Sequence, residues 1–348
     1  MARPVRLGTH PVGTAHHAAM CCWCGGPLVI AEFAELKNIA AKLADPALQR
    51  RCWVCPTCWR RQLSHALMVK AGKERVIYHI PLPSQCAIYE TQKGYLLWGG
   101  QAGPGKSTGT RWWLYKRSLA IPGHKALLLR ENWDQLIANH TLDMDSELPL
   151  LGGRWVEKGK IAAFGKGPDQ SLIYCGHMAE ADAVTRYTGI EYGAIVADEA
   201  ALYPVNQVGA PVLVEVSTRA RQEYVDRDGA AVSGVFLAVT NPGGPSAEWL
   251  KDMFLDHAPD FEKYPMLRPD YDDAGVQVGG YVASDWEYYA ATVDHNPYMR
   301  PDYKQTNLAV LSGVRYKQLA EGDWYASEGQ FFREWAERYH VRRAVLAA

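Results

Sequence analysis

The chain has 348 residues, enough for about two domains and a large core. Hydrophobic residues make up 48% and charged residues 22%, the balance of an ordinary globular protein rather than a disordered or low-complexity one. Lys+Arg number 37 and Asp+Glu 38, for a net charge of −1, so no chain-wide basic excess advertises nucleic acid and any such contact is local.

No apolar run approaches the roughly 18 residues of a membrane-spanning helix. Arg3 and Arg6 are not followed by the apolar core of a signal peptide. A cytoplasmic protein with no membrane partner is expected. Six cysteines fall between residues 21 and 58. In a chain without a secretion signal, that clustering favours metal over disulfides. Cys21-x2-Cys24 and Cys55-x2-Cys58 are two knuckles that can set four thiolates tetrahedrally around Zn²⁺. Cys22 and Cys52 are rivals for those positions, and His16 and His17 lie nearby. The 30-residue spacer between Cys24 and Cys55 holds a helix-like stretch, Leu28 to Leu43. Arg50, Arg51, Arg60 and Arg61 flank the cluster, either as a solvated face or against phosphates. Lys70, Lys73, Glu74 and Arg75 suggest the exposed end of a helix, broken by Pro81 and Pro83. A domain boundary is placed near residue 75.

The apolar run Tyr95 to Trp98 reads as a buried strand, and a helix-like stretch begins near Lys106. Between them, Gly100-Gln101-Ala102-Gly103-Pro104-Gly105-Lys106-Ser107-Thr108 contains Gly-x4-Gly-Lys-Ser, the phosphate-binding P-loop or Walker A pattern. A triphosphate needs several backbone N–H groups aimed inward, and glycine removes the Cβ atoms that would block it. The helix that follows turns its positive end to the phosphates. Lys106 supplies charge for the β/γ oxygens, and the Ser107 hydroxyl can ligate Mg²⁺.

Beyond the loop, Ser107 to Leu119 reads as a helix, Lys125 to Leu129 as a strand ending at Arg130, and Trp133 to Leu148 as an amphipathic helix. Residues 154–176 read as short strands turning at Lys158-Gly159 and Gly165-Lys166-Gly167. Alternating strands and helices predict an α/β fold, a mainly parallel sheet flanked by helices. Gly193-Ala-Ile-Val-Ala-Asp198-Glu199-Ala200 is a strand with two acids at its carboxyl end, where ligands sit in an open α/β sheet. Asp198 lies 92 residues beyond Lys106 and is placed to hold Mg²⁺, and Glu199 is placed to activate water as general base. Val235 to Val239 is a further strand, running into Thr240-Asn241-Pro-Gly-Gly244. Asn241 reads equally as a γ-phosphate sensor or as part of a turn. Tryptophans 98, 112, 113, 133 and 155 read as packing residues.

These motifs resemble the ATPase part of phage terminase large subunits, the motors that pump DNA into procapsids. The resemblance spans about residues 85–340 by motif order. It rests on Gly99–Ser107, Ala126-Leu-Leu-Leu-Arg-Glu131, Tyr192–Ala200, Thr240–Gly244 and Asn296-Pro-Tyr298. Most specific is Leu319-Ala-Glu-Gly-Asp-Trp324 followed by Glu328-Gly-Gln-Phe-Phe332. It implies a P-loop NTPase of the additional-strand class, with ATP and Mg²⁺ as cofactors. It implies double-stranded DNA, a procapsid portal and a small terminase subunit as partners, a homo-oligomeric ring, and the host cytoplasm. Lys106 and Ser107 would bind phosphates and Mg²⁺, Asp198 and Glu199 would be the Walker B pair, and Asn241 would couple hydrolysis to movement.

Three departures stand out. Where many relatives carry a phosphate-loop arginine this chain has Gln101, so the charge-stabilising role passes to Arg130, Arg219 or Arg221, within the chain or from a neighbouring subunit. The cysteine cluster is not general in the family. The usual RNase H-like nuclease is expected to be absent, since 16 residues follow Phe332. The expected organisation is a Cys-rich zinc module over 1–75 and an ATPase domain over 76–340, with a helical lid at about 284–325. Two other readings are a helicase-like P-loop ATPase and a zinc-stabilised nucleotide-binding scaffold without useful turnover.

Overall fold

The computed structural model describes residues 56–326 apart from 72–73, 92, 188, 207–210, 257–264, 272–276, 294–295, 297, 301 and 312. Cys21, Cys24 and Cys55 therefore lie outside the described residues, and Cys58 falls in the first described helix, α1 (Pro56–Ser64).

A nine-stranded sheet organises the chain. Its strands are β3 (Tyr95–Gly100), β4 (Lys125–Arg130), β5 (Gly153–Glu157), β6 (Ile161–Phe164), β7 (Ser171–His177), β8 (Ala194–Asp198), β11 (Val235–Thr240), β12 (Pro265–Tyr271) and β13 (Gln277–Ala291). The order is β12-β13-β3-β11-β8-β4-β7-β6-β5. The six strands from β13 to β7 run parallel, and β12, β6 and the edge strand β5 pair antiparallel. A short ribbon, β9 (Tyr224–Val225) with β10 (Ala231–Val232), forms a sheet of its own. The parallel centre of the large sheet follows from composition: Ala126 to Leu129 and Ala194 to Val196 have no side chain that asks for water, so both faces can be covered. Successive residues serve opposite faces. Leu96, Trp98, Leu128, Val196 and Leu237 enter one core; Leu97, Leu127, Ile195, Phe236 and Ala238 enter the other.

The P-loop strand β3 and the acidic strand β8 are not neighbours; β11 lies between them. This is the additional-strand arrangement implied by the resemblance. Helix α2 (Pro83–Glu90) precedes β3, and α3 (Lys106–Ala120) follows it. The stretch 133–150 is helical throughout but not uniformly so. It comprises α4 (Trp133–Leu136), a π turn (Ile137–Thr141) and α5 (Leu142–Leu150). Helices α6 (Leu213–Ser217) and α7 (Ala247–Phe254) add Leu213, Val216, Leu250 and Phe254 to the second core.

Two expectations are corrected. The stretch holding Lys70 and Arg75 is not a helix end but a hairpin, β1 (Leu67–Ala71) paired with β2 (Glu74–His79), and residue 75 falls inside β2. Met68-Val69 and Val76-Ile77 supply the apolar and β-branched residues that favour strands. The region 284–325 does not begin as a helical lid. Residues 284–291 belong to β13, which pairs with β3 and extends the sheet. Helical turns come later, at Lys304–Leu308, α8 (Gly313–Tyr316) and Lys317–Glu321. Helix α1 is fastened to the core by Arg61, which donates to both Glu90 carboxylate oxygens at 2.6 and 2.5 Å, and by Gln62, which donates to Pro81 O.

Candidate functional site

The carboxyl ends of β3, β11, β8 and β4 lie side by side, and the charged residues of the sequence motifs converge there. At the end of β3 the chain leaves the sheet through glycines in the left-handed region, Gly103 at φ 88° and Gly105 at φ 82°. L-residues rarely adopt that conformation, so only glycine forms this loop without strain. The loop is held from two sides: Gln85 Nε2 donates to Gly105 O at 3.0 Å and Asn296 Nδ2 to Gly103 O at 2.6 Å. Pro104 is buried and Thr108 is exposed in the first turn of α3. The first N–H groups of α3 have no carbonyl of their own helix to bond, which leaves a cradle for an anion at Lys106 and Ser107. Gln101 and Ala102 do not add to it, because their N–H groups donate to Ala291 O and Leu319 O, both at 2.8 Å.

Lys106 is buried, and its Nζ donates to Gln101 O at 2.8 Å and to Asn241 Oδ1. Burial pulls its pKa down to about 8, against the opposing pull of Glu199 and Asp198. Asn241 thus touches Lys106 directly. Ser107 Oγ stands 3.3 and 3.5 Å from the two Asp198 carboxylate oxygens. Asp198 is 1% exposed. Burial works to raise its carboxyl, but the His140 hydrogen bond and charge, with Arg130 and Lys106, hold it below the usual range. Ser107 and Asp198 are hard oxygen donors, the chemistry Mg²⁺ takes.

Glu199 is the one described non-glycine residue with positive φ, at 54°. Its backbone is therefore strained, and such strain persists where the surroundings over-determine it, commonly at functional positions. Its carboxyl is pushed up by burial and by the Asp198 charge, and pulled back by Lys106, Arg130 and Arg315. Arg130, 7% exposed, lies 3.5 Å from Asp198 through Nη1 and 3.5 Å from Glu199 through Nη2.

Arg219 and Arg221 are not brought to this cluster. Arg219 O accepts from Tyr192 N–H, two residues before β8 begins, and Arg221 pairs with Glu191 at 2.7 Å. That places both near the amino end of β8, with about 13 Å of strand between that end and Asp198.

No protein-family profile matches the sequence, and no curated protein matches it. Solved structures do. The large terminase of a thermophilic bacteriophage, in complex with ADP, aligns with TM-score 0.50 and 16% identity over 70% of this chain and 54% of that one. The large terminase ATPase domain of Thermus phage P74-26 aligns with TM-score 0.48 and 16% identity over 71% and 94%. Over the alignment with the ADP-bound terminase this chain shares its fold with part of a phage large terminase. It matches about half the length of the ADP-bound terminase.

Within this terminase fold, the Glu-Gly-Asp-Trp324 motif has a physical role. Trp324 packs so close under β3 that a Cβ on Gly99 would sit 2.5 Å from its Cζ2. Its Nε1 donates to Tyr288 OH, which donates to Gly99 O. Three polar residues of the site, Gln85, Arg315 and His140, escaped sequence reading, and Asn296 stood there only as part of the Asn296-Pro-Tyr298 motif. Gln85 and Asn296 hold the Gly103–Gly105 loop through its backbone carbonyls, a contact that residue type and spacing do not reveal. Arg315, in α8, reaches Glu199 only through the folding of a distant segment. His140 left a signal: it interrupts the apolar stripe Leu136, Met144, Leu148 at helical spacing, and all four are buried.

Proposed function

We propose that this chain is the ATP-hydrolysing motor of a viral DNA-packaging machine, moving double-stranded DNA into procapsids. One observation carries the reading: Lys106, Ser107, Asp198, Glu199, Asn241 and Arg130 converge at the carboxyl ends of four adjacent strands, in a large-terminase ATPase fold. The thermophilic-phage terminase was solved with ADP, which supports a nucleotide at the equivalent loop.

In this reading the cradle around Lys106 and Ser107 holds the phosphates of ATP. Ser107 and Asp198 hold Mg²⁺, which supplies charge neutralisation for the transferring phosphoryl group. Glu199 accepts the proton of the attacking water; a carboxyl raised by its surroundings is a stronger base than an ordinary glutamate. Lys106 exchanges its Asn241 partner for phosphate oxygens. Asn241 thereby registers whether phosphate is present and hands that information to the segment beyond β11. Arg130 is the cation supplied within the chain, in the place that Gln101 cannot fill. Gln101 instead braces the segment just beyond β13, its Oε1 accepting from Thr292 Oγ1 and Val293 N–H.

The partners of this reading are double-stranded DNA, a portal and a small subunit, around a homo-oligomeric ring in the host cytoplasm. No described helix is long and apolar enough to cross a membrane. Cys21, Cys24, Cys55 and Cys58 would hold a structural Zn²⁺. The test is phosphate release by the purified chain with and without double-stranded DNA, followed by packaging with a matched procapsid. DNA-stimulated hydrolysis without duplex unwinding supports the motor. Unwinding would favour a helicase, and nucleotide binding without turnover a scaffold.

A further inference from the structure

The helix that follows Arg130 carries a buried polar group that the reaction as described does not use. His140 is fully buried, and its Nε2 lies 2.8 Å from Asp198 Oδ2. Its Nδ1 has no hydrogen-bond partner. An imidazole held in a core with one nitrogen unpaired is costlier than a leucine of similar size. Packing alone therefore does not account for it.

The backbone is shaped to deliver this ring. His140 sits in the π turn, where Leu142 N–H reaches back five residues to Ile137 O. A π turn adds one residue to a helical turn and recurs at functional sites. The turn is locked to the phosphate-loop helix by Arg111, one turn after Ser107. Arg111 is 3% exposed. Its Nη1 donates to Asn139 O at 2.8 Å, its Nη2 to Asp143 at 2.6 Å, and its Nε to Glu147 at 3.0 Å. Tyr115 OH donates to the same Glu147 at 2.7 Å. Helix α3 thus carries Ser107 to Asp198 and, through Arg111, fixes the turn that carries His140 to the same carboxylate. Oδ2 accepts from His140, is approached by Arg130 and lies 3.3 Å from Ser107 Oγ, while the one described contact of Oδ1 is with Ser107 Oγ, at 3.5 Å.

We propose that His140 is a positioning residue for the divalent-cation site, fixing the Asp198 carboxylate through Oδ2 so that Oδ1 is presented beside Ser107. The inference rests on the nucleotide-binding reading of the site. Groups that orient a ligating carboxylate in this way typically change metal affinity about 10- to 100-fold when removed.

The test uses the full chain with ADP and Mn²⁺ as the probe, free Mn²⁺ being read by electron paramagnetic resonance. ADP affinity in EDTA is measured alongside. His140→Leu should weaken Mn²⁺ binding about 10- to 100-fold and leave metal-free ADP affinity within about two-fold. His140→Gln, whose amide N–H can take the place of Nε2, should recover most of the loss. Mn²⁺ affinity unchanged in His140→Leu, or equal weakening in Leu and Gln variants, overturns the assignment. Should His140→Leu fail to fold, His140→Gln against the shorter His140→Asn decides. Near wild-type binding for Gln with weakened binding for Asn supports it, and equal values overturn it. Wild-type protein that binds Mn²⁺–ADP but does not hydrolyse ATP would sink the motor reading and leave this test intact. Wild-type protein that binds no Mn²⁺–ADP overturns both.

Discussion

The two ends of the central sheet both bury polar groups, and they satisfy them differently. At the amino end, Arg117 donates to the backbone carbonyls of Gly193 and Ser233, and its guanidinium stacks over Trp113. Tyr224 OH accepts from Lys125 N–H, and Arg221 pairs with Glu191 on the surface. At the carboxyl end, side chains face side chains: Lys106 meets Asn241, His140 meets Asp198, and Arg130 spans Asp198 and Glu199. Polar groups that bond to backbone are spent on the fold. Charged groups that face one another, with a strained Glu199 among them, are held ready for a ligand that will rearrange them. The contrast sets Arg130, which faces two carboxylates at the carboxyl end, apart from Arg117 and Arg221 at the amino end.

The largest expected effect tests the carboxyl end at its cation. An arginine that stabilises transferring phosphate contributes roughly 10³–10⁵ in rate in other NTPases. Arg130→Ala should therefore lower ATP turnover by about three orders of magnitude or more. Mixing it with Glu199→Gln protein should restore nothing if Arg130 serves its own site. Restored activity would instead mean that it serves a neighbour's.

Next in size is the base. Glu199→Gln keeps shape and hydrogen bonding, so nucleotide binding should persist while turnover falls about 10²- to 10⁴-fold. The pH profile gives an independent check. Burial and Asp198 raise the Glu199 carboxyl, so the protonated, inactive form persists to higher pH than for an ordinary glutamate. Wild-type turnover should then fall as pH drops through a value above the usual range of about 4.3, and residual Glu199→Gln turnover should lack that limb. Near-normal turnover in the variant would remove Glu199 from the role.

How far the sequence foretold these two ends follows from the range of the interactions. The phosphate loop is local: strand, glycines, lysine and helix are contiguous, so Gly100 to Ser107 was legible. Asp198 and Glu199 were legible because a short apolar strand with acids at its end is also a local pattern. Which of Arg130, Arg219 and Arg221 lies beside those acids was not, because it depends on which end of β8 each residue meets, a property of strand order. The lid failed for a related reason. Trp286, Tyr288, Tyr289 and the alanines up to Ala291 are as compatible with a buried parallel strand as with a helix, and pairing with β3 decides between them.

A smaller effect belongs to the amino end and concerns stability. His124 is buried there beside Tyr224, and burial with the Arg117 charge lowers its pKa from 6.5 to about 3. The folded state thus keeps it neutral while the unfolded chain protonates it near 6.5. Its contribution is present above that pH and is lost as pH falls from 6.5 towards 3. Between about pH 7.5 and 5.5 the loss should be about 1.4 kcal/mol. In His124→Phe, the difference in unfolding free energy between those two pH values should shrink by that amount, measured by denaturant titration. An unchanged difference would mean that His124 takes up its proton in the folded state.

The smallest expected effect is the one best able to break the comparison. Arg221 and Glu191 are both more than half exposed, and an exposed pair of this kind contributes about 0–1 kcal/mol. Arg221→Ala should shift the unfolding midpoint slightly and leave turnover within about two-fold, because the length of β8, about 13 Å, separates its end of the sheet from Asp198. That distance applies within one chain. In a ring, the amino end of one subunit can face the carboxyl end of the next, and Arg221 needs only to release Glu191 to act there. The two cases differ in concentration dependence. If Arg221 is structural, turnover per chain is the same for wild type and Arg221→Ala at every concentration and on assembly with procapsid and DNA. If it acts across an interface, the two agree only in dilute solution and separate on assembly, and mixing Arg221→Ala with Glu199→Gln recovers activity. The second outcome would make the amino end of the sheet half of a shared active site, and the distinction between its two ends would hold only for the isolated chain.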